Sequence, residues 1–203
     1  MIRILVFGDS ITYGSWDTQG GWVDRLKQKA HEITVQSEGT TKIQIMNLGI
    51  GGDTSRKILA RIRNEIEART AKAWDLKIVL SFGVNDERSR DGIVEVPLEE
   101  YRLNAQSIVN EAIKYTNDIL VVGNPPLGQN SVNFKIFEYS DDRLRQYDEL
   151  LKTVAEESNL IFVPIRTAFE ATGIDGLFVY DNIHVSDKGH SLIESIVKPY
   201  VFK

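Results

Sequence analysis

Five short apolar runs rich in β-branched residues punctuate the chain: Ile2 to Phe7, Ile43 to Met46, Leu76 to Phe82, Ile119 to Gly123 and Leu160 to Val163. Between them, apolar residues recur at helical spacing. Trp22, Val23, Leu26, Ala30 and Ile33 make one such face, and Ile58, Leu59, Ile62 and Ile66 a second. Leu98, Tyr101, Ala105, Ile108, Val109 and Ala112 mark a third, Leu144, Tyr147, Leu151 and Val154 a fourth, and Leu192, Ile193, Ile196 and Val197 a last one. Strands that are apolar almost throughout must be covered on both faces, so the alternation implies an α/β chain folded as a three-layer α/β/α sandwich around a five-stranded parallel sheet. Ligands of such sheets bind beyond the strand C-termini. Two irregular stretches, 87–96 and 124–139, each follow a strand and are expected on that side.

A length of 203 residues with 42% apolar content suits one domain spanning residues 1–203. A formal charge of -5 gives no electrostatic footprint for nucleic acid or an anionic membrane surface. Because cysteine is absent, disulfides, thiolate metal sites and cysteine nucleophiles are excluded. Serine, threonine or a metal-activated water must then carry any hydrolysis. The first apolar run is short and interrupted by Arg3, and no stretch approaches the roughly 20 apolar residues of a membrane span. No membrane span and a cytoplasmic location are therefore expected, while oligomeric state leaves no signature.

Four segments could carry chemistry. Gly8-Asp9-Ser10 closes the first strand, where a tight turn would present the Ser10 hydroxyl at the sheet edge and leave its N–H free; taken alone, the tripeptide reads first as an ordinary turn. The run Asn47-Leu48-Gly49-Ile50-Gly51-Gly52-Asp53-Thr54 is glycine-rich, so its backbone can approach a substrate and offer N–H groups, or it can simply connect and cap the next helix through Asp53 or Thr54. Gly83-Val84-Asn85-Asp86 follows the third strand, which lets the Asn85 amide donate to a developing oxyanion or merely turn the chain. In Asp181-Asn182-Ile183-His184, a three-residue separation lets a carboxylate fold back onto the imidazole, as a catalytic pair or a surface one. His31 and His190 fall within helices and read as structural or solvated, so His184 is the histidine placed in a loop on the ligand side.

Together these segments resemble the GDSL esterase/lipase family, in its SGNH hydrolase branch, with Ile11 where the family's name has Leu. The resemblance spans nearly the whole chain. It implies that Ser10 attacks, that Asp181 orients His184 as base, and that the Ser10 N–H, the Gly52 N–H and the Asn85 side chain form an oxyanion hole. Asp9, Asp86 and Asn47 are expected to support these loops by hydrogen bonding. The resemblance also implies a flavodoxin-like strand order 2-1-3-4-5 and no metal or other cofactor. The expected substrate is a small-molecule acyl ester. Without a long hydrophobic lid segment, short-chain esters, including acetylated carbohydrates, are favoured over triglycerides, with thioesters also open to the same chemistry.

Two rivals remain. A metal-dependent phosphoesterase could use Asp9, Asn85, Asp86 and His184 as hard ligands, but only one histidine is on hand and no His-x-His or Asp-x-His pair occurs. A non-catalytic flavodoxin-like binding module would hold an anion with the glycine loop, yet no Gly-x-Gly-x-x-Gly or Gly-x-x-x-x-Gly-Lys is present. Specificity is expected to come from residues 12–21, 87–96 and 124–139, where Trp16, Phe134, Phe137 and Tyr139 could line a pocket or pack the loops. Phe178 and Tyr180 could line it too, or anchor the segment before Asp181.

Overall fold

The structure is a computed structural model and describes residues 1–70 and 72–203. Strand β1 (Ile2–Gly8) runs into a single helical turn, α1 (Ser10–Tyr13), and then α2 (Gly21–Gln36). β2 (Ile43–Gly49), α3 (Ser55–Arg69), β3 (Asp75–Ser81) and the short α4 (Val84–Glu87) follow. The small strands β4 (Ser89–Arg90) and β5 (Ile93–Val94) lead into α5 (Leu98–Ile113) and β6 (Ile119–Val122). A hairpin of β7 (Ser131–Phe134) and β8 (Phe137–Ser140) precedes α6 (Asp141–Glu157), β9 (Ile161–Val163), α7 (Ile165–Thr172) and α8 (Asp187–Val201).

The main sheet is parallel in the order β2-β1-β3-β6-β9, which is 2-1-3-4-5 when its own five strands are counted in sequence. The alternation along β1 explains the three layers. Ile4 and Val6 face a core completed by Trp22, Val23, Leu26, Ile193 and Val197. Leu5 and Phe7 face the opposite core, with Ile58, Ile62, Tyr101, Ile108 and Leu151. Register brings Gly8 opposite both Gly49 and Ser81, so three loops leave the sheet from one edge. Among the described residues no helix is long and apolar enough to cross a membrane.

The structure departs from the expectations in three places. The stretches 87–96 and 124–139 are not irregular throughout, because β4, β5, β7 and β8 pair as a second, antiparallel sheet in the order β5-β4-β8-β7. Strands of two to four residues are too short for periodicity to register. The eight-residue helix α7 was not expected; it begins directly after Pro164 and buries Ile165 and Phe169. β2 also extends three residues past Met46, carrying Asn47 and Gly49 to the edge.

Candidate active site

At the end of β1 the backbone is packed so tightly that a methyl group on Gly8 would overlap the Thr12 side chain and the Ser81 carbonyl. The chain can therefore turn sharply into α1. The Asp9 carboxylate caps that turn by accepting the Ile11 N–H at 2.9 Å. Ser10 consequently sits at the first helical position, where its N–H lacks an intrahelical partner, and it donates to no acceptor among the described residues. Asn47 secures the turn from the neighbouring strand: its Nδ2 donates to the Thr12 and Tyr13 carbonyls at 3.0 and 3.3 Å, and its Oδ1 accepts the Gly49 N–H.

His184 approaches Ser10 from the segment before α8, whose first turn is capped by the Ser186 hydroxyl. The His184 Nε2 lies 2.9 Å from the Ser10 Oγ, and its Nδ1 lies 2.7 Å from the Asp181 Oδ2. Asp181 Oδ1 accepts the backbone N–H groups of Ile183 and His184, which bends the segment so that the carboxylate faces its own neighbour's ring. Burial works against its charge, yet the His184 ring and those two N–H groups hold the Asp181 carboxyl below the usual carboxylate range. A carboxylate only accepts, so the hydrogen bond to Asp181 calls for a hydrogen on Nδ1, which in a neutral ring makes the Nε2 facing the Ser10 hydroxyl an acceptor.

The glycine loop and the turn after β3 line the same cleft as Ser10. Gly52 has φ 79°, nothing crowds the space where its Cβ would be, and its N–H has no protein acceptor among the described residues. Such an open backbone can come close to a bound molecule. Asn85 is buried; its Nδ2 donates to the Asp53 carbonyl at 3.0 Å and makes a long 3.5 Å contact with the Asp9 Oδ2, while its Oδ1 accepts from the Arg88 Nη1 at 3.0 Å.

Asp9 and Asp86 stand behind these groups rather than in the cleft. Asp86 accepts the Ser55 N–H at 2.9 Å and the Ser55 hydroxyl, so it caps α3 from outside while Thr54, at the N-cap position, makes no side-chain cap bond. Burial pushes the Asp9 carboxyl up to about 6 and that of Asp86 to about 7. The donors that could have gathered around a metal ion are thus engaged separately: Asp86 by Ser55, Asp9 by Ile11, and His184 by Ser10 and Asp181.

A cleft of about 280 Å³ opens over Ser10 and His184, floored by Gly51, Gly52 and Asn85 and walled by Trp16, Phe134, Phe137 and Tyr139. Trp16 and Phe134 stand edge-on to the His184 ring, with centroids 5.9 and 6.3 Å away. Trp16 holds that place at φ 69°, a conformation unusual for a bulky residue. Phe178 instead packs on Phe169, and Tyr180 is 80% exposed, so neither lines the cleft. Arg88 and Lys135 do, and no sequence motif marked them. His190 is fully buried, accepting the Trp22 N–H on Nδ1; burial pulls it down to about 4. His31 is exposed on α2.

The model of the GDSL-like lipase/acylhydrolase family matches residues 6–192. The isoamyl acetate-hydrolyzing esterase of Saccharomyces cerevisiae is 28% identical over 200 residues, covering 94% of this chain and 82% of that protein. The isoamyl acetate-hydrolyzing esterase 1 homolog of Homo sapiens is 24% identical over 220 residues, covering 99% of this chain and 82% of that protein. The acetylxylan esterase of Geobacillus stearothermophilus is 26% identical over 163 residues, covering 74% of this chain and 68% of the relative. In fold, a lipase/acylhydrolase from Enterococcus faecalis superimposes with a TM-score of 0.77 at 21% identity, covering 99% of this chain and 95% of the other.

Proposed function

The chain belongs to the GDSL-like lipase/acylhydrolase family, and from that premise we propose that it is a serine esterase that cleaves short-chain carboxylic esters through an acyl-enzyme on Ser10. The observation that carries this reading is the unbroken hydrogen-bonded chain from the Ser10 Oγ through His184 to Asp181, with Ser10 and His184 lining a small cleft. In the proposed reaction, His184 Nε2 takes the Ser10 proton as Oγ attacks the acyl carbon. The carbonyl oxygen gains the negative charge and meets the N–H groups of Ser10 and Gly52 and the Asn85 amide. Collapse of the tetrahedral adduct expels the alcohol, which receives the proton from His184. Water then attacks the acyl-enzyme with His184 again as base, releasing the acid and restoring Ser10.

A cleft of about 280 Å³ with four aromatic walls favours a small acyl group such as acetyl. The names of the similar proteins agree, since they include enzymes that hydrolyse isoamyl acetate and an acetylxylan esterase. The test is a chain-length series of p-nitrophenyl esters, with acetylated sugars alongside, on wild type and Ser10→Ala. Turnover highest at C2 to C4 and lowered about a thousandfold or more in the variant is expected. Equal rates for the two proteins would end the reading.

A further inference from the structure

We propose that Arg88 is a positioning residue for the oxyanion donor Asn85, acting through the amide to strengthen its hydrogen bond to the developing charge; this rests on the oxyanion role proposed above. Arg88 closes α4 three residues after Asn85, and its Nη1 donates to the Asn85 Oδ1 at 3.0 Å. The opposite end of that amide donates to the Asp53 carbonyl. Flipping it would set Oδ1 against a carbonyl oxygen and Nδ2 against a guanidinium, so both contacts specify one orientation. In that orientation Asn85 lines the cleft, and among the described residues its Nδ2 has, beyond the bond to Asp53, only a long 3.5 Å contact with the Asp9 Oδ2.

The cation is itself held still. Its guanidinium carbon stacks 3.9 Å from the centroid of the Phe137 ring, its Nε lies 3.6 Å from the Glu95 carboxylate, and its side chain is only 12% exposed. A charged donor on Oδ1 draws electron density along the amide and makes the Nδ2 hydrogens stronger donors. It also places a fixed positive charge one amide's length from the oxygen that becomes negative. Both effects grow with that charge, so they belong to the transition state more than to substrate binding.

The experiment is a double-mutant cycle on p-nitrophenyl acetate with Arg88→Met, Asn85→Ala and both together, with Arg88→Lys and melting temperatures measured in parallel. Arg88→Met should lower kcat about tenfold with KM changed less than about twofold, and should cause no further loss once Asn85 is alanine. Added guanidinium ion should restore part of the rate to Arg88→Met and none to the double variant. Should the methionine variant not fold, the lysine variant carries the same cycle, with a smaller loss that again vanishes beside alanine. Losses that multiply in the double variant, or a change in KM alone, would overturn the assignment of Arg88 while leaving the esterase reading intact. An Asn85→Ala enzyme with full activity would instead remove the oxyanion role itself.

Discussion

At the scale of single residues, the candidate site combines groups that face the cleft with buried groups that hold them. Asp86 belongs to the second kind, and its carboxyl is pushed up to about 7 by burial, against the usual value of 3.8. A raised folded-state value means that the folded chain binds the proton more tightly than the unfolded one. The stabilising contribution is therefore complete below about pH 4 and is lost as pH rises through about 7. Asp86→Asn, which keeps an acceptor for Ser55 but cannot ionise, should flatten that share of the decline, and urea denaturation at pH 5 and pH 8 measures it. An unchanged slope would mean that Asp86 is ionised at both values. Part of this arrangement of side chains was legible in the sequence. The spacing of Asp181 and His184, and the placing of Ser10 and Asn85 just past strands, anticipated which side chains meet. Arg88 was not legible, because a lone arginine in a loop belongs to no spacing pattern and acquires its meaning only from Asn85 and Phe137.

At the scale of elements, the periodic segments were readable and the cleft wall was not. All five main-sheet strands and five helices announce themselves through burial of alternate or helically spaced residues. The strands of the second sheet are too short to show a period, and polar contacts from distant segments help to hold it. Its anchor is Glu87, fully buried, which accepts the Ser140 N–H and pairs with Arg143 of α6 at 3.2 Å. Arg143 also donates to the Glu87 carbonyl, the Ser89 hydroxyl and the Glu138 carbonyl, tying both halves of the small sheet to that helix. Burial pushes the Glu87 carboxyl up to about 7 despite the arginine. Arg143→Met should cost about 3 kcal/mol or more where Glu87 is ionised, because a buried charge loses its partner. Since removing the cation raises the Glu87 value further, the loss should be larger at pH 8 than at pH 6, where the carboxyl can take up a proton. Equal losses at the two pH values would show that Glu87 is not the group responsible.

At the scale of the whole molecule, the strand order sets which loops can meet. Placing β1 between β2 and β3 brings the ends of all three to one edge, so the turn carrying Ser10 is flanked by the glycine loop on one side and Asn85 on the other. The segment bearing Asp181 and His184 closes over that edge from the opposite end of the chain, 174 residues from Ser10. One nucleophile should therefore stand out among all the serines of the chain. The direct measurement is intact-mass and peptide mapping after reaction with a fluorophosphonate, followed alongside esterase activity. One adduct per chain, located on Ser10, absent from Ser10→Ala and formed in step with loss of activity, is the outcome expected. Full esterase activity with Ser10 unlabelled, or an inactivating adduct on another residue, would contradict the assignment.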